Sequence, residues 1–472
     1  MKLKTTMIAM AVALAVSPAG VARDKGERVL PKDLPAYAAD RPLPVPKIEQ
    51  ATLDNGMQVW VLPRDGVPRV DFVLAIRDAG YAADPADLPG FASTLSYMLN
   101  EGTAKHDSRQ IAELAQGMGG SVGGSVSMDG MRVVANAVAS QAATMMRLLA
   151  EVARTPSFPE DEVALAKANQ LQSLKANEAQ PDFRAERALA AAIYGDHPYA
   201  RIQQTEASIN AVTADALRAE HARRFRPDRA LLVVTGRIGK DEAMRLAREA
   251  FGDWQAGGTP VAPVAASRAS ATPAFVRLQR GGSVQSAVRL GRPGIAASHP
   301  DYVPAQLANA ILGGGFSSRL MQNLREDKGY TYGAGSGLGT FAAGGRISAS
   351  ADVRNEVTGA AIGEFQAEFA RISREPVPAR ELEDTKRYVA GGYLISNQLQ
   401  GAVASALAAN WLVGLPPEFL GEYVPKIRAV TAQQVQAMGA KYFDPKDYSI
   451  VVVGDGAAID AQLKPYGDFK AE

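Results

Sequence analysis

The chain of 472 residues contains no cysteine and only four histidines, and its 51 basic side chains balance 50 acidic ones. Missing thiols exclude disulfide scaffolds, thiolate zinc sites, iron–sulfur clusters and cysteine nucleophiles, and a net charge of +1 supplies no field to hold nucleic acid. At 47% hydrophobic and 21% charged residues the chain is a folded protein, long enough for roughly two to four domains.

The first segment, 1–22, has the pattern of an export signal. Lys2 and Lys4 precede an apolar run over 7–16, and Ser17-Pro18-Ala19-Gly20-Val21-Ala22 supplies small residues for cleavage near Ala22. The alternative is an uncleaved anchor, but a run of about ten residues is too short to span a bilayer. A bacterial periplasm is the expected destination. No later stretch reaches about eighteen apolar residues, so no transmembrane segment is expected in the mature chain. Residues 23–46, rich in proline and charge, read as an extended leader.

Beyond the leader, strands are predicted over 57–62 and 70–76, then an amphipathic helix over 90–99 and a long helix over 160–175. The same succession returns later: strands over 274–278 and 286–290, then helices over 301–312 and 381–398. Comparison of the chain with itself explains the return. Residues 209–236 match 427–454 at a constant offset of 218, without a gap and with twelve identities in 28 positions. In both copies a Thr (Thr213, Thr431) caps a helix, Phe-x-Pro ends it, and a Val-rich buried strand follows. The expected architecture is therefore α+β: two homologous mixed domains in tandem, 47–253 and 274–472, each a sheet rich in antiparallel strands and covered by helices. A Gly/Pro/Ala/Ser-rich linker, 254–273, joins them. Neither copy carries a dinucleotide fingerprint or a Walker loop, so Gly313-Gly314-Gly315 reads as a tight turn rather than a phosphate cradle.

On the 90–99 helix, Phe91, Leu95, Met98 and Leu99 form an apolar stripe, with Ser93, Ser96 and Tyr97 on the adjoining face. Three side chains at that spacing can address one ion, but hydroxyls are not the imidazole, thiolate or carboxylate that zinc takes. His106, His197, His221 and His299 are far apart in sequence. Ser93 and Tyr97 read as helix surface or packed hydroxyls.

The run from Leu88 to Thr103, Leu-Pro-Gly-Phe-Ala-Ser-Thr-Leu-Ser-Tyr-Met-Leu-Asn-Glu-Gly-Thr, resembles the inverted zinc motif region of pitrilysin/insulinase-type metallopeptidases. In that family H-x-x-E-H supplies two zinc ligands and a general base. Ser93 and Tyr97 stand where the histidines would be, Ser96 where the glutamate would be, and Ser173 near the third ligand, so the resemblance implies a lost metal site and no metal or cofactor in this chain. It extends to Leu53-Asp-Asn-Gly-Met57, to His197-Pro-Tyr199 and to the second half, and the duplication is what such a two-domain, mitochondrial-processing-peptidase-like subunit implies.

Two features are retained. Leu312-Gly-Gly-Gly-Phe-Ser-Ser-Arg-Leu320 followed by Leu324-Arg-Glu-Asp-Lys-Gly-Tyr-Thr-Tyr332 is similar to the family segment whose Arg and Tyr, here Arg325 and Tyr332, reach the substrate at the zinc site. Arg319 and Tyr330 are nearby rivals, with Glu326 a candidate partner for Arg319. The stretch from Gly119 to Asp129, including Gly120, Ser121 and Val122, resembles the edge strand along which substrate peptides add; the other reading is a Gly-rich bulged strand without a ligand.

The resemblance implies a non-catalytic subunit of a heterodimeric zinc peptidase. The zinc would sit in a paralogous partner bearing H-x-x-E-H, and the substrates would be unfolded peptides. An inert peptide-binding or scaffold protein of the same fold is the alternative. A hydrolase built on Ser93 or Ser96 lacks a His or Lys at a spacing that nominates a base.

Overall fold

The computed structural model describes residues 47–268 and 272–472; the export signal and the leader lie outside the described residues. The first half builds strands β1 (Glu49–Thr52), β2 (Gln58–Pro63), β3 (Arg69–Arg77), β4 (Ser121–Val126), β5 (Gly130–Val138) and β6 (Ala230–Gly236). The second half builds β7 (Phe275–Gln279), β8 (Gln285–Gly294), β9 (Thr331–Phe341), β10 (Gly344–Arg354), β11 (Ser449–Gly454) and β12 (Lys470–Ala471). Each half is one six-stranded sheet, ordered β1-β2-β6-β3-β5-β4 and β12-β7-β11-β8-β10-β9. Pairing is antiparallel except for β2 with β6, β7 with β11 and β12 with β7. The Val-rich runs β6 and β11 occupy the interior of their sheets, where burial of both faces suits a continuous apolar strand.

The duplication is visible element by element. The helices Ala214–Arg224 and Ala432–Tyr442, each capped by the side chain of its Thr, keep the offset of 218. Each sheet buries one face under helices of its own half. In the first half, the stripe Phe91, Leu95, Met98 and Leu99 joins Met145, Leu149 and Leu217 in one core.

The opposite faces are covered by exchange. Helix Gln400–Leu412, from the second half, lays Val403, Ala404, Leu407, Ala408 and Trp411 on Trp60, Leu62, Val73, Ala75, Leu231 and Val233 of the first sheet. Helix Pro181–Tyr194, from the first half, lays Ala185, Leu189 and Ile193 on Leu278, Ala287, Val451 and Val453 of the second. Apolar residues at i, i+4 and i+8 make such a stripe, and each large side chain taken from water contributes about 1.5–3 kcal/mol. Polar contacts fix the exchange at its margins: Arg289 pairs with Asp182, Arg346 with Glu186 at 2.8 Å, and Gln400 donates to Asp71 at 2.8 Å.

The tips of the two outer hairpins meet. Tyr199, fully buried, donates from its phenol to Asp129 at the β4–β5 turn (2.8 Å) and accepts from the Ala343 N–H at the β9–β10 turn (2.9 Å). The second Asp129 oxygen accepts from the Ala342 N–H at 2.9 Å. The connection over 254–268 runs without helix or strand, tied by the Ser267 N–H to Ala343 O (2.7 Å) and by His197 to Ala265 O (3.0 Å). Its first residue, Trp254, is buried in the first core, and Arg226 donates to Gly257 O and Gly258 O just beyond it.

Candidate functional site

The helix Phe91–Met98 is held from its start. Gly90 takes φ 77°, a left-handed conformation, and a Cβ there would lie 2.3 Å from the Gln204 side chain. Asp84 accepts from the Ala92 N–H at 3.0 Å and pairs with the wholly buried Arg224 at 2.9 Å, which also meets Glu220 at 2.9 Å. Burial pushes the Asp84 carboxyl up to about 6, against the pull of Arg224.

On this fixed helix the structure brings Ser93, Ser96 and Tyr97 together. Ser93 lies beside the Tyr81 phenol. Ser96 is buried against β4; a Cβ on Gly124 would come 2.7 Å from its Oγ. Tyr97 is half-exposed beside Glu101; partial burial raises both groups, with Glu101 and Glu162 adding like charge. Ser173 does not join them by any hydrogen bond. It is exposed on helix Glu160–Glu178, where the side chain that meets the Phe91 helix is Gln170. Gln170 accepts from Thr94 at 2.9 Å, and Gln204 donates to both at 3.0 Å.

The residues that the resemblance sets at zinc-ligand positions are thus neutral hydroxyls, and this donor set does not fit the ion. Among the described residues no three His, Asp or Glu side chains are grouped to hold a metal. Among the described residues no histidine is placed to serve a serine nucleophile here. His106 bonds Glu151, His197 bonds Ala265 O, His221 bonds Ala153 O and His299 accepts from Asp301 N; none meets Ser93 or Ser96.

Gly120, Ser121 and Val122 lie at the start of β4, the outermost strand of the first sheet. Its register with β5 runs unbroken from Ser121↔Asn136 to Val126↔Met131, so the strand carries no bulge. Gly120 presses on Asn136, whose carbonyl oxygen would lie 1.7 Å from a Cβ. Ser121 Oγ accepts from Asn136 at 3.1 Å, and Val122 O accepts from Asn100 at 3.0 Å.

Arg325 sits on a π-helical turn, Met321–Asp327, rather than an α-helix. The widened turn is stabilised by Asn323, which donates to Glu364 (2.9 Å) and Glu368 (3.0 Å), and such turns recur at functional sites. The Arg325 guanidinium lies 5.5 Å from the Phe316 ring centre, with Glu326 at 3.7 Å. Tyr332, at the start of the outermost strand β9, is 90% exposed. The rivals are structural: Arg319 is buried and holds Glu381, not Glu326, through two bonds of 2.9 and 2.8 Å, and Tyr330 packs on the second core. Sequence reasoning passed over Phe316, Tyr388 and the part Tyr199 plays. Phe316 stands in the matched segment from Leu312 to Leu320 and Tyr199 in a matched tripeptide, whereas Tyr388 carries no motif of its own.

The duplicated α+β fold, two six-stranded sheets each covered by helices, defines a two-domain peptidase-like chain. The family model described as Insulinase (Peptidase family M16) matches residues 62–205, and that described as Peptidase M16 inactive domain matches residues 211–389. The chain belongs to the insulinase, or M16, family, and is an inactive M16-like protein. It is 25% identical over 413 residues to an uncharacterized zinc protease, YmxG, of Bacillus subtilis, covering 86% of this chain and 98% of that one. It is 21% identical over 389 residues to a protein of Helicobacter pylori named as a non-peptidase homolog, covering 81% of this chain and 88% of that one. A solved peptidase M16 inactive domain from Pseudomonas fluorescens superimposes with a TM-score of 0.81 at 27% identity, over 87% of this chain and 99% of that one. A Helicobacter pylori protease structure shares the fold, with a TM-score of 0.80 at 18% identity over 87% of this chain and 100% of that one.

Proposed function

We propose that this chain is the non-catalytic subunit of a heterodimeric, pitrilysin-like zinc peptidase acting on unfolded peptides. A paralogous partner bearing H-x-x-E-H would hold the zinc, and this chain would supply Arg325 and Tyr332. One asymmetry carries the reading: Ser93, Ser96 and Tyr97, where the resemblance implies zinc ligands and a base, hold hydroxyls that zinc does not take, while Tyr332 stands exposed on an edge strand and Arg325, half-buried, sits on a braced turn. A guanidinium offers a planar fork of donors that keeps its charge, and a phenol a directed O–H; both suit the oxyanion that develops at a peptide carbonyl. Zinc in the partner would supply the activated water. The edge of β4 at Gly120, Ser121 and Val122 would pair the peptide backbone. On this reading the export pattern in 1–22 is taken as an address to the periplasm for this chain.

The test is peptide cleavage by this chain mixed with an H-x-x-E-H paralogue. Arg325→Ala is expected to lower the mixture's kcat about a hundredfold and Tyr332→Phe about tenfold. An unchanged rate with both variants sinks the division of labour. The second reading, an inert peptide-binding or scaffold protein, is favoured by the name of the Helicobacter relative as a non-peptidase homolog. Monomers or homodimers that bind peptide and activate no partner would establish it.

A further inference from the structure

The second half carries a cavity that neither the Arg/Tyr pair nor the exchanged helices account for. It opens between the turn over 297–300, the start of helix Tyr302–Gly313 and one face of helix Phe419–Ala429, and leaves about 440 Å³ of space. Small-molecule sites offer about 300–1,000 Å³. Ala297, Val303, Leu415, Phe419 and Val430, all buried, make an apolar floor. Half-exposed His299 and exposed Glu422, Lys426 and Gln434 stand at the mouth.

The fold does not require this space. Carried five residues back, the offset of 218 sets Gln204 and Ser208 of the first half against Glu422 and Lys426. There the corresponding junction is closed: Gln204 lies against Gly90 and donates to Thr94 and Gln170, and Ser208 Oγ donates to Pro89 O at 2.9 Å. In the second half the same two positions carry charges that bond each other instead, Lys426 donating to Glu422 Oε2 at 2.7 Å.

Each polar group at the mouth keeps an unused capacity. Glu422 retains Oε1 and Lys426 its other N–H groups, and a half-exposed pair of this kind is too weak to bar a ligand. His299 accepts from the Asp301 N–H at Nδ1 (3.1 Å), so its neutral ring carries the proton on Nε2 and donates there. Gln434 spends Oε1 on the Thr431 N–H (2.8 Å) and keeps its NH2. The mouth thus offers a carboxylate oxygen and N–H donors of an ammonium, an imidazole and an amide, above an apolar floor. A ligand that answers all of them has an ammonium, a carboxylate and an apolar body.

We infer that this cavity binds an apolar zwitterion, a free amino acid or dipeptide whose large aliphatic or aromatic side chain fills the floor. The ligand's ammonium meets Glu422, and its carboxylate meets Lys426, His299 and Gln434. Such binding requires neither a partner chain nor Arg325, so it stands or falls apart from the peptidase reading. Calorimetric titration of the full chain tests it with L-phenylalanine, L-leucyl-L-phenylalanine, hydrocinnamate, which lacks the ammonium, and phenethylamine, which lacks the carboxylate. At least one of the two zwitterions is expected to bind about tenfold or more tightly than either one-charge analogue. Ala429→Trp, at the exposed mouth, should abolish binding, and Glu422→Gln with Lys426→Gln should bring the zwitterion to the level of the analogues. All three side chains are exposed, so a melting temperature within a few degrees of the parent confirms the fold. No heat from either zwitterion, equal affinity for a one-charge analogue, or full binding by Ala429→Trp would overturn the site.

Discussion

Hydroxyls at Ser93 and Ser96 and a phenol at Tyr97 alter what the Phe91 helix can do without disturbing how it folds. The apolar stripe, the Gly90 turn and the Asp84–Arg224 anchor are intact, and only the chemistry at the tips of these three side chains is wrong for zinc. His221 shows the structural use to which a histidine is put instead. It is buried, stacked on Phe225 at 4.5 Å, and bonded to Ala153 O at 2.9 Å. Burial lowers its imidazole from the usual 6.5 to about 4. A depressed histidine is neutral in the folded state while the unfolded chain takes up a proton below about pH 6.5. Stability is therefore full above that value and is lost as pH falls toward 4, on the order of 2 kcal/mol of it by pH 5. Urea unfolding at pH 7.5 and pH 5.0 checks this: His221→Phe should lose clearly less stability between the two than the parent, and an equal loss would remove His221 as the cause.

At the scale of elements, period and burial made most of the fold legible. The strand over 70–76 and the helix over 301–312 lie within a residue or so of β3 and of helix Tyr302–Gly313, because their alternation and apolar stripe have one reading each. What the stripe does not encode is whose sheet it covers. Val403, Leu407 and Trp411 announce a buried face, yet the face lies on the other half of the chain. The π-turn at Arg325 was equally hidden, since it depends on Asn323 finding Glu364 and Glu368 some forty residues away. Arg319 took Glu381 in place of its sequence neighbour Glu326, for the same reason of distance. The exchanged helix gives a direct prediction. Trp411 stacks under Arg77 at 3.7 Å and donates to Gln58 at 3.1 Å. Trp411→Ala should lower stability by about 3–5 kcal/mol, whereas Leu399→Ser, exposed at the head of the same helix, should change it by less than about 0.5 kcal/mol. Equal effects in denaturant titrations would show that the exchange is not what holds the first sheet's second face.

For the whole molecule, the two exchanged helices clasp the halves and the Asp129–Tyr199 junction joins the tips of the hairpins that end in β4 and β9. The outer hairpins of the two sheets thus share one fixed point. Tyr199→Phe would leave the Ala343 N–H without its acceptor and Asp129 without one donor, at about 1–3 kcal/mol. Hydrogen exchange should then quicken at residues 127–130 and 341–345 and stay unchanged in β6 and β11; exchange that quickens everywhere, or nowhere, would deny the junction its local role. The larger claim is that such a clasped chain assists a cleavage it does not perform. The most direct measurement is the rate at which a labelled unfolded peptide is cut by this chain alone, by an H-x-x-E-H paralogue alone, and by both together. The account predicts no cleavage and no stoichiometric zinc for this chain alone, and a mixed rate at least tenfold above that of the paralogue. Cleavage by this chain with zinc bound one-to-one, or no gain on mixing, would contradict it.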